Sequence, residues 1–168
     1  IARALVGNPS LVIADEPVAA LDASIQAQIV RLIQKLNQEN HISFLVISHN
    51  LAIVRYLATR MLVMFQGRVV EEGDATTLAN AALHPYTVEL MRAANYNLPA
   101  AGVPPEAFRV VPAHQVGCAY QHRCALYPTL GTRIQELCRH TRPALTAVVT
   151  ARDGCQNVSC HAVSERAG

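Results

Sequence analysis

Two adjacent carboxylates, Asp15 and Glu16, follow directly on the apolar run Leu-Val-Ile-Ala at positions 11–14 and are stopped by Pro17. A buried strand tolerates charge poorly unless the charge is paired or bound to metal. A carboxylate pair at the carboxyl end of a core strand therefore points to a phosphate and Mg²⁺ site. A capped strand-to-helix turn can carry the same two residues, but it does not account for the whole string LVIADEPVAALD at 11–22. His49, within Ser48-His49-Asn50, closes a second apolar run; without the carboxylates it would read as an ordinary loop histidine. The chain's five cysteines all lie at or beyond Cys118. Such clustering implies a local thiol site rather than a disulfide-stapled fold, and it agrees with a reducing, cytosolic compartment.

The elements that must position these groups follow from periodicity. Residues 1–6 read as the end of a helix, stopped by Gly7 and Pro9. Residues 11–14 lack alternation, the pattern of a strand with both faces covered. Ile25, Ile29, Leu32, Ile33 and Leu36 then fall on one helical face running to about Gln38, with Asp22 placed to cap it. Residues 42–47 form a second apolar strand, so strand, helix and strand make a right-handed crossover in a parallel sheet. A short helix over 51–58 follows, then two strands at 61–65 and 68–71 joined by Gln66-Gly67, a hairpin signal. Gly73 closes that element. Helices are predicted over 76–82 and 86–94, the second opened by Pro85 at its first turn. Between 97 and 112, Pro99, Pro104, Pro105 and Pro112 mark a linker. The remainder, 117–168, has little periodicity.

Bulk properties exclude several classes. With 51% hydrophobic and 15% charged residues, the chain is of the folding kind. A net charge of +2 is too small to argue for nucleic acid. No apolar run approaches the roughly 20 residues that cross a bilayer. The first residue is Ile rather than Met, with no basic segment behind it, so no signal peptide is visible and the sequence reads as the C-terminal part of something longer.

At Asp15, Glu16 and His49 the sequence resembles a family. LVIADEPVAALD is similar to the Walker B and D-loop segment of ABC-transporter ATPases, and VISHNLAIVRYLATRMLVMFQGRVVEEG to the segment bearing their switch histidine. IARAL at the start resembles the helix that follows the family's signature sequence. The resemblance runs in order and spacing over residues 1–73. It implies that Asp15 holds Mg²⁺ through a water, and that Glu16 orients or deprotonates the attacking water. It further implies that His49 contacts the γ-phosphate and that Asp22 belongs to a D-loop facing an opposing subunit. Period two in a strand sends adjacent carboxylates to different sides, one for metal and one for the nucleophile. Asp22 can serve as helix cap at the same time. Ala19 departs from the Ser or Thr of many members and removes a hydroxyl from that dimer interface.

No GxxxxGK[ST] phosphate loop, LSGGQ signature or Q-loop occurs in these residues; in the family all three precede IARAL. A phosphate loop supplies the N–H cradle and lysine that hold nucleotide phosphates. The residues present are thus expected, alone, neither to bind ATP well nor to hydrolyse it.

His84-Pro85-Tyr86-Thr87 resembles the tail motif of oligopeptide, dipeptide and nickel importers, and it also reads as a helix start with Pro in its first turn. In that group a linker and a cysteine tail follow, matched here by Gly117-Cys118, Arg123-Cys124, Cys138 and Val158-Ser159-Cys160-His161. Four thiolates in one segment can ligate zinc or an iron–sulfur cluster, and the resemblance implies a [4Fe–4S] cluster on Cys118, Cys124, Cys138 and a fourth cysteine. Cys155 and Cys160 both qualify as the fourth; Cys160 is preferred because VSCH matches the family ending. Free thiols are the alternative. Arg123, Arg139, Arg142 and Arg152 can offset thiolate charge or simply form a solvated surface.

The fold class that follows is α/β: a partial P-loop NTPase sheet of parallel core strands flanked by helices, with a loop-rich, cysteine-containing C-terminal extension. The expected divisions are 1–82 for the ATPase half, 83–112 for the HPYT helix and linker, and 113–168 for the cysteine tail. The resemblance implies an ATP- and Mg²⁺-using subunit of a peptide or nickel importer at the cytoplasmic face of the cell membrane. Its partners would be a second ATPase subunit, homo- or heterodimeric, and transmembrane permeases, with no nucleic acid. Two other classes compete: a non-transport ABC ATPase acting in translation or DNA repair, and a non-enzymatic metal-binding or regulatory fragment.

Overall fold

A computed structural model describes residues 2–94, 116–149 and 155–166. The predicted linker at 97–112 lies outside the described residues. The chain divides into two compact units, Ile1–Ala58 and Thr59–Gly168.

In the first unit a short helix, α1 (Ala2–Leu5), leads to strand β1 (Leu11–Asp15). Helix α2 (Ala23–Asn40) crosses over to β2 (Ser43–Ile47), and α3 (Leu51–Leu57) follows. The two strands are parallel and in register from Leu11↔Ser43 to Asp15↔Ile47. Asp22 starts α2 by accepting the N–H groups of Ser24 and Ile25, each at 3.0 Å, which satisfies two donors that have no partner inside the helix. Helix α2 ends at His41, whose left-handed φ of 55° turns the chain into β2. Val18, Val30, Ile33 and Ile42 are the buried apolar residues of this unit.

One expectation is corrected here. Strand β1 is not covered on both faces: it and β2 alternate between exposed and half-buried positions. Leu11, Ile13, Leu45 and Ile47 stand 54%, 64%, 46% and 49% exposed. A continuous apolar run records that a strand can be buried twice; it does not supply the second layer. Ile25 and Leu32 on α2 are likewise exposed, so the apolar stripe read from the sequence is wider than the surface it meets.

The second unit is built on an antiparallel sheet in the order β3-β4-β6-β5. Strands β3 (Arg60–Phe65) and β4 (Arg68–Asp74) form the hairpin. Gln66 and Gly67 take φ of 47° and 74°, the two left-handed positions of a turn whose twist matches the flanking strands. Strand β3 buries Met61, Val63 and Phe65 in strict alternation. Helices α4 (Ala75–Ala81) and α5 (Pro85–Ala94) follow.

The tail is more ordered than its composition implied. It contains two single-turn 3₁₀ segments, helix α6 (Thr132–His140), strands β5 (Thr146–Val149) and β6 (Cys155–Val158), and helix α7 (His161–Arg166). Strand β6 pairs with β4 through Glu71↔Val158 and Glu72↔Asn157, so the tail extends the hairpin sheet. Ile134, Cys138, Val148, Val158, Cys160 and Ala162 make its core. Gly117 lets the chain close on the end of α6, because a Cβ there would collide with the carbonyl oxygens of Cys138 and Arg139.

Candidate functional site

At the carboxyl end of the parallel pair, Asp15 is the last residue of β1 and lies on its exposed face, in step with Leu11 and Ile13. Glu16 comes next and is held in a left-handed conformation at φ 45°, a rare geometry for a residue with a Cβ and one that clusters at functional sites. Its backbone N–H donates to Ile47 O at 2.9 Å, so the turn is tied to β2. The carboxylate reaches residues just beyond β2. Oε1 accepts the His49 backbone N–H at 3.0 Å and lies 2.8 Å from His49 Nδ1. Oε2 accepts the Ser48 hydroxyl at 3.3 Å.

The hydrogen bond from the His49 side chain is the main reason the Glu16 carboxyl sits below its ordinary pKa; desolvation opposes it, and the His49 backbone N–H and the Ser48 hydroxyl each lower it by less. An ionised Oε1 requires a proton on Nδ1, which assigns the tautomer and leaves Nε2 available. His49 is 79% exposed. Asp22 stands apart from this cluster at the start of α2, where both of its hydrogen bonds are spent as a cap.

The second group of candidates surrounds one cavity in the other unit. Cys118, Cys124, Cys138 and Cys160 all line it, with His84, Tyr120 and His161. All are free thiols, and Cys155 is exposed at the start of β6, away from the lining. Burial pushes Cys118 up to about 12 and Cys138 up to about 11, with the neighbouring cysteines adding to the effect. Cys160 is raised chiefly by burial as well. The four sulfurs are the donor set for a thiolate-bound metal. The cavity measures about 20 Å³, room for one water-sized sphere. Among the described residues no three His, Cys, Asp or Glu side chains stand in a metal-holding arrangement. The thiols are gathered but not closed into a ligand shell.

Sequence comparison adds the decisive observation. Residues 70–129 match the family model described as the C-terminal region of oligopeptide/dipeptide transporters. A probable peptide ABC transporter ATP-binding protein of Sinorhizobium fredii is 41% identical over 96% of this chain and 44% of its own length. The oligopeptide transport ATP-binding protein OppF of Salmonella typhimurium is 38% identical over 86% of this chain and 43% of its own. The dipeptide transport ATP-binding protein DppD of Escherichia coli is 38% identical over all of this chain and 49% of its own. Over nearly all of its length the chain is similar to ABC-transporter ATP-binding proteins. It spans a little under half the length of each of these relatives. A solved ATP-binding cassette dimer with ADP and Pi is 34% identical at a TM-score of 0.42, covering 44% of this chain and 32% of that one.

The matched region, residues 70–129, contains His84-Pro85-Tyr86-Thr87, and the structure gives those residues a physical task. His84 is buried, and its Nδ1 accepts the Tyr86 N–H at 3.1 Å, closing the first turn of α5. Desolvation lowers its pKa to about 4, so the ring is neutral at pH 7. Glu71, fully buried on β4, accepts the N–H groups of Leu83 and His84 at 2.7 and 3.0 Å. Tyr120 donates to Glu89 and packs against Phe65 and Tyr86, tying the tail to α5.

Sequence reasoning did not single out Ser48, Glu71 or Glu89. For Ser48 the available signal was its place directly before His49 at a strand end. Glu71 offered none, because Glu71-Glu72 in a strand reads as an exposed acidic pair.

Proposed function

We propose that this chain is the carboxylate- and histidine-bearing part of an ATP-hydrolysing subunit that powers peptide or nickel uptake through partner permeases. The observation that carries the reading is the joining of Glu16 to His49 by two hydrogen bonds at the carboxyl end of the parallel pair. Asp15, an exposed oxygen donor at the same strand end, suits a hard cation. Bound Mg²⁺ would supply charge neutralisation at the β- and γ-phosphates. Asp15 would hold that cation, through a water as the family resemblance implies. Glu16 orients the attacking water; its depressed pKa makes it a stronger anchor than proton acceptor. His49 contacts the γ-phosphate through a ring nitrogen that bears a proton, the donor a phosphate oxygen requires, and Asp22 approaches the opposing subunit of a homo- or heterodimer. The subunit works on the cytoplasmic face of the membrane, on permeases rather than nucleic acid; no described helix is long and apolar enough to cross a bilayer itself.

Two experiments test this. The coding region upstream of Ile1 is expected to encode GxxxxGK[ST] and a signature sequence; a reading frame without them overturns the assignment. In the subunit carrying those motifs, Glu16→Gln is expected to abolish ATP turnover while nucleotide binding persists.

A second reading concerns the tail. The gathering of Cys118, Cys124, Cys138 and Cys160 on one cavity favours a metal centre there, a [4Fe–4S] cluster by the family resemblance. Binding would require the raised thiols to release protons and close around the metal. Anaerobic purification followed by absorption spectra and iron and sulfide analysis checks it; protein free of both is evidence for thiols alone.

A further inference from the structure

The two oxygens of Glu16 have different partners. Oε1 takes both contacts from His49, and Oε2 takes the Ser48 hydroxyl. These partners differ in how freely they can leave. The His49 ring is largely exposed, and exposed side chains change rotamer on the picosecond-to-nanosecond scale. Ser48 is fixed by its surroundings. Its Oγ accepts the Asn50 N–H at 3.1 Å, and Asn50 is itself committed to starting α3 by accepting from Ala52 at 3.1 Å and Ile53 at 3.4 Å. A hydroxyl has one proton to give. With the Asn50 N–H directed at its oxygen, that proton goes to Glu16 Oε2. The Glu16 backbone is tied in turn to Ile47 O.

We infer that Ser48 is a positioning residue: when the His49 ring departs toward phosphate, Ser48 on Oε2 and the His49 backbone N–H on Oε1 hold the Glu16 carboxylate, so that Oε1, relieved of the ring, faces the attacking water in a fixed orientation. This rests on the ATP-hydrolysing reading above. A glutamate released by the His49 ring and held by the His49 backbone N–H alone could pivot about that one contact, and misplacement of a reacting group by about 1 Å costs rate steeply. The 3.3 Å separation of Ser48 Oγ and Glu16 Oε2 is longer than an ordinary O–H···O bond, and catalytic hydrogen bonds are often long before the reacting complex tightens them.

The test has two arms. In the 168-residue chain, carbon-13 NMR follows the Glu16 carboxyl titration in wild type, Ser48→Ala, Ser48→Thr, His49→Ala and the double variant His49→Ala with Ser48→Ala. Ser48→Ala is expected to raise the Glu16 midpoint, Ser48→Thr to restore it, and the Ser48 effect to survive in the His49→Ala background. No shift on adding Ser48→Ala to His49→Ala overturns an independent hold. The second arm uses the subunit with its phosphate-binding loop. There Ser48→Ala is expected to lower kcat roughly tenfold, the worth of one hydrogen bond to a charged group, with KM unchanged and recovery in Ser48→Thr. An unchanged kcat overturns the positioning role. Absence of ATP turnover in the wild-type subunit instead overturns the functional reading, an outcome kept separate because the titration involves no nucleotide.

Discussion

His49 and Glu16 each set the state of the other. The carboxylate keeps a proton on Nδ1, and the imidazole keeps the carboxylate ionised. A carboxyl whose folded pKa lies below its unfolded value contributes stability that is present above the unfolded pKa and lost as pH falls through the folded one. The His49–Glu16 link is therefore acid-labile below the ordinary carboxylate range. Removing the imidazole in His49→Ala is expected to move the Glu16 midpoint up toward that range, read by carboxyl NMR; an unmoved midpoint would mean that another group holds the charge. His84 makes the opposite use of a histidine. Its folded pKa of about 4 lies below the ordinary 6.5, so neutral His84 favours the fold above pH 6.5 and the contribution is lost as pH falls to about 4. The full difference is of order 3 kcal/mol. Glu71 works against it, because burial raises that carboxyl and acid then favours the fold. Denaturant unfolding of His84→Phe at several pH values is expected to show a flatter loss of stability between pH 6.5 and 4 than wild type. Equal slopes would place the acid sensitivity elsewhere.

Caps and turns carry their information locally, which is why the elements were legible where they were. Asp22 precedes an apolar-periodic run, and it does cap α2 with two hydrogen bonds; Asp22→Ala is expected to cost about 1 kcal/mol in urea unfolding, largely recovered by Asp22→Asn. Gln66-Gly67 announced a hairpin because a turn with two left-handed residues selects such residue types. Strands β5 and β6 escaped notice for the complementary reason. Each is four residues long, too short for a period, and β6 exists because it pairs with β4, far earlier in the chain. Pairing of that kind leaves no local trace. Glu71 escaped too, since nothing in Val-Val-Glu-Glu-Gly says that the first glutamate meets the backbone N–H groups of Leu83 and His84. The cysteines lie between these cases: their order flagged them as a group and the VSCH ending favoured Cys160 over Cys155, while the fold puts Cys160 on the cavity and leaves Cys155 exposed.

For the chain as a whole, the consequential feature is the apolar face of the parallel pair. Ile13 and Leu45 are register partners, and with Leu11 and Ile47 they form an exposed patch on a sheet of two strands. Two strands are marginal by themselves, and contiguous exposed apolar surface drives association. Because these side chains contribute little to the chain's own core, polar replacement should alter folding stability by no more than about 0.5 kcal/mol, whereas it removes the surface that two chains would share. The isolated chain is therefore expected to self-associate with rising concentration in sedimentation velocity. The double variant Ile13→Thr with Leu45→Thr is expected to shift the distribution toward monomer at unchanged Tm. Threonine retains β-branching, so strand propensity is not the variable under test. Association that persists in the double variant would move the sticky surface off this sheet. A large fall in Tm would instead mean that the face is buried within the folded chain, contrary to the exposure of Ile13 and Leu45.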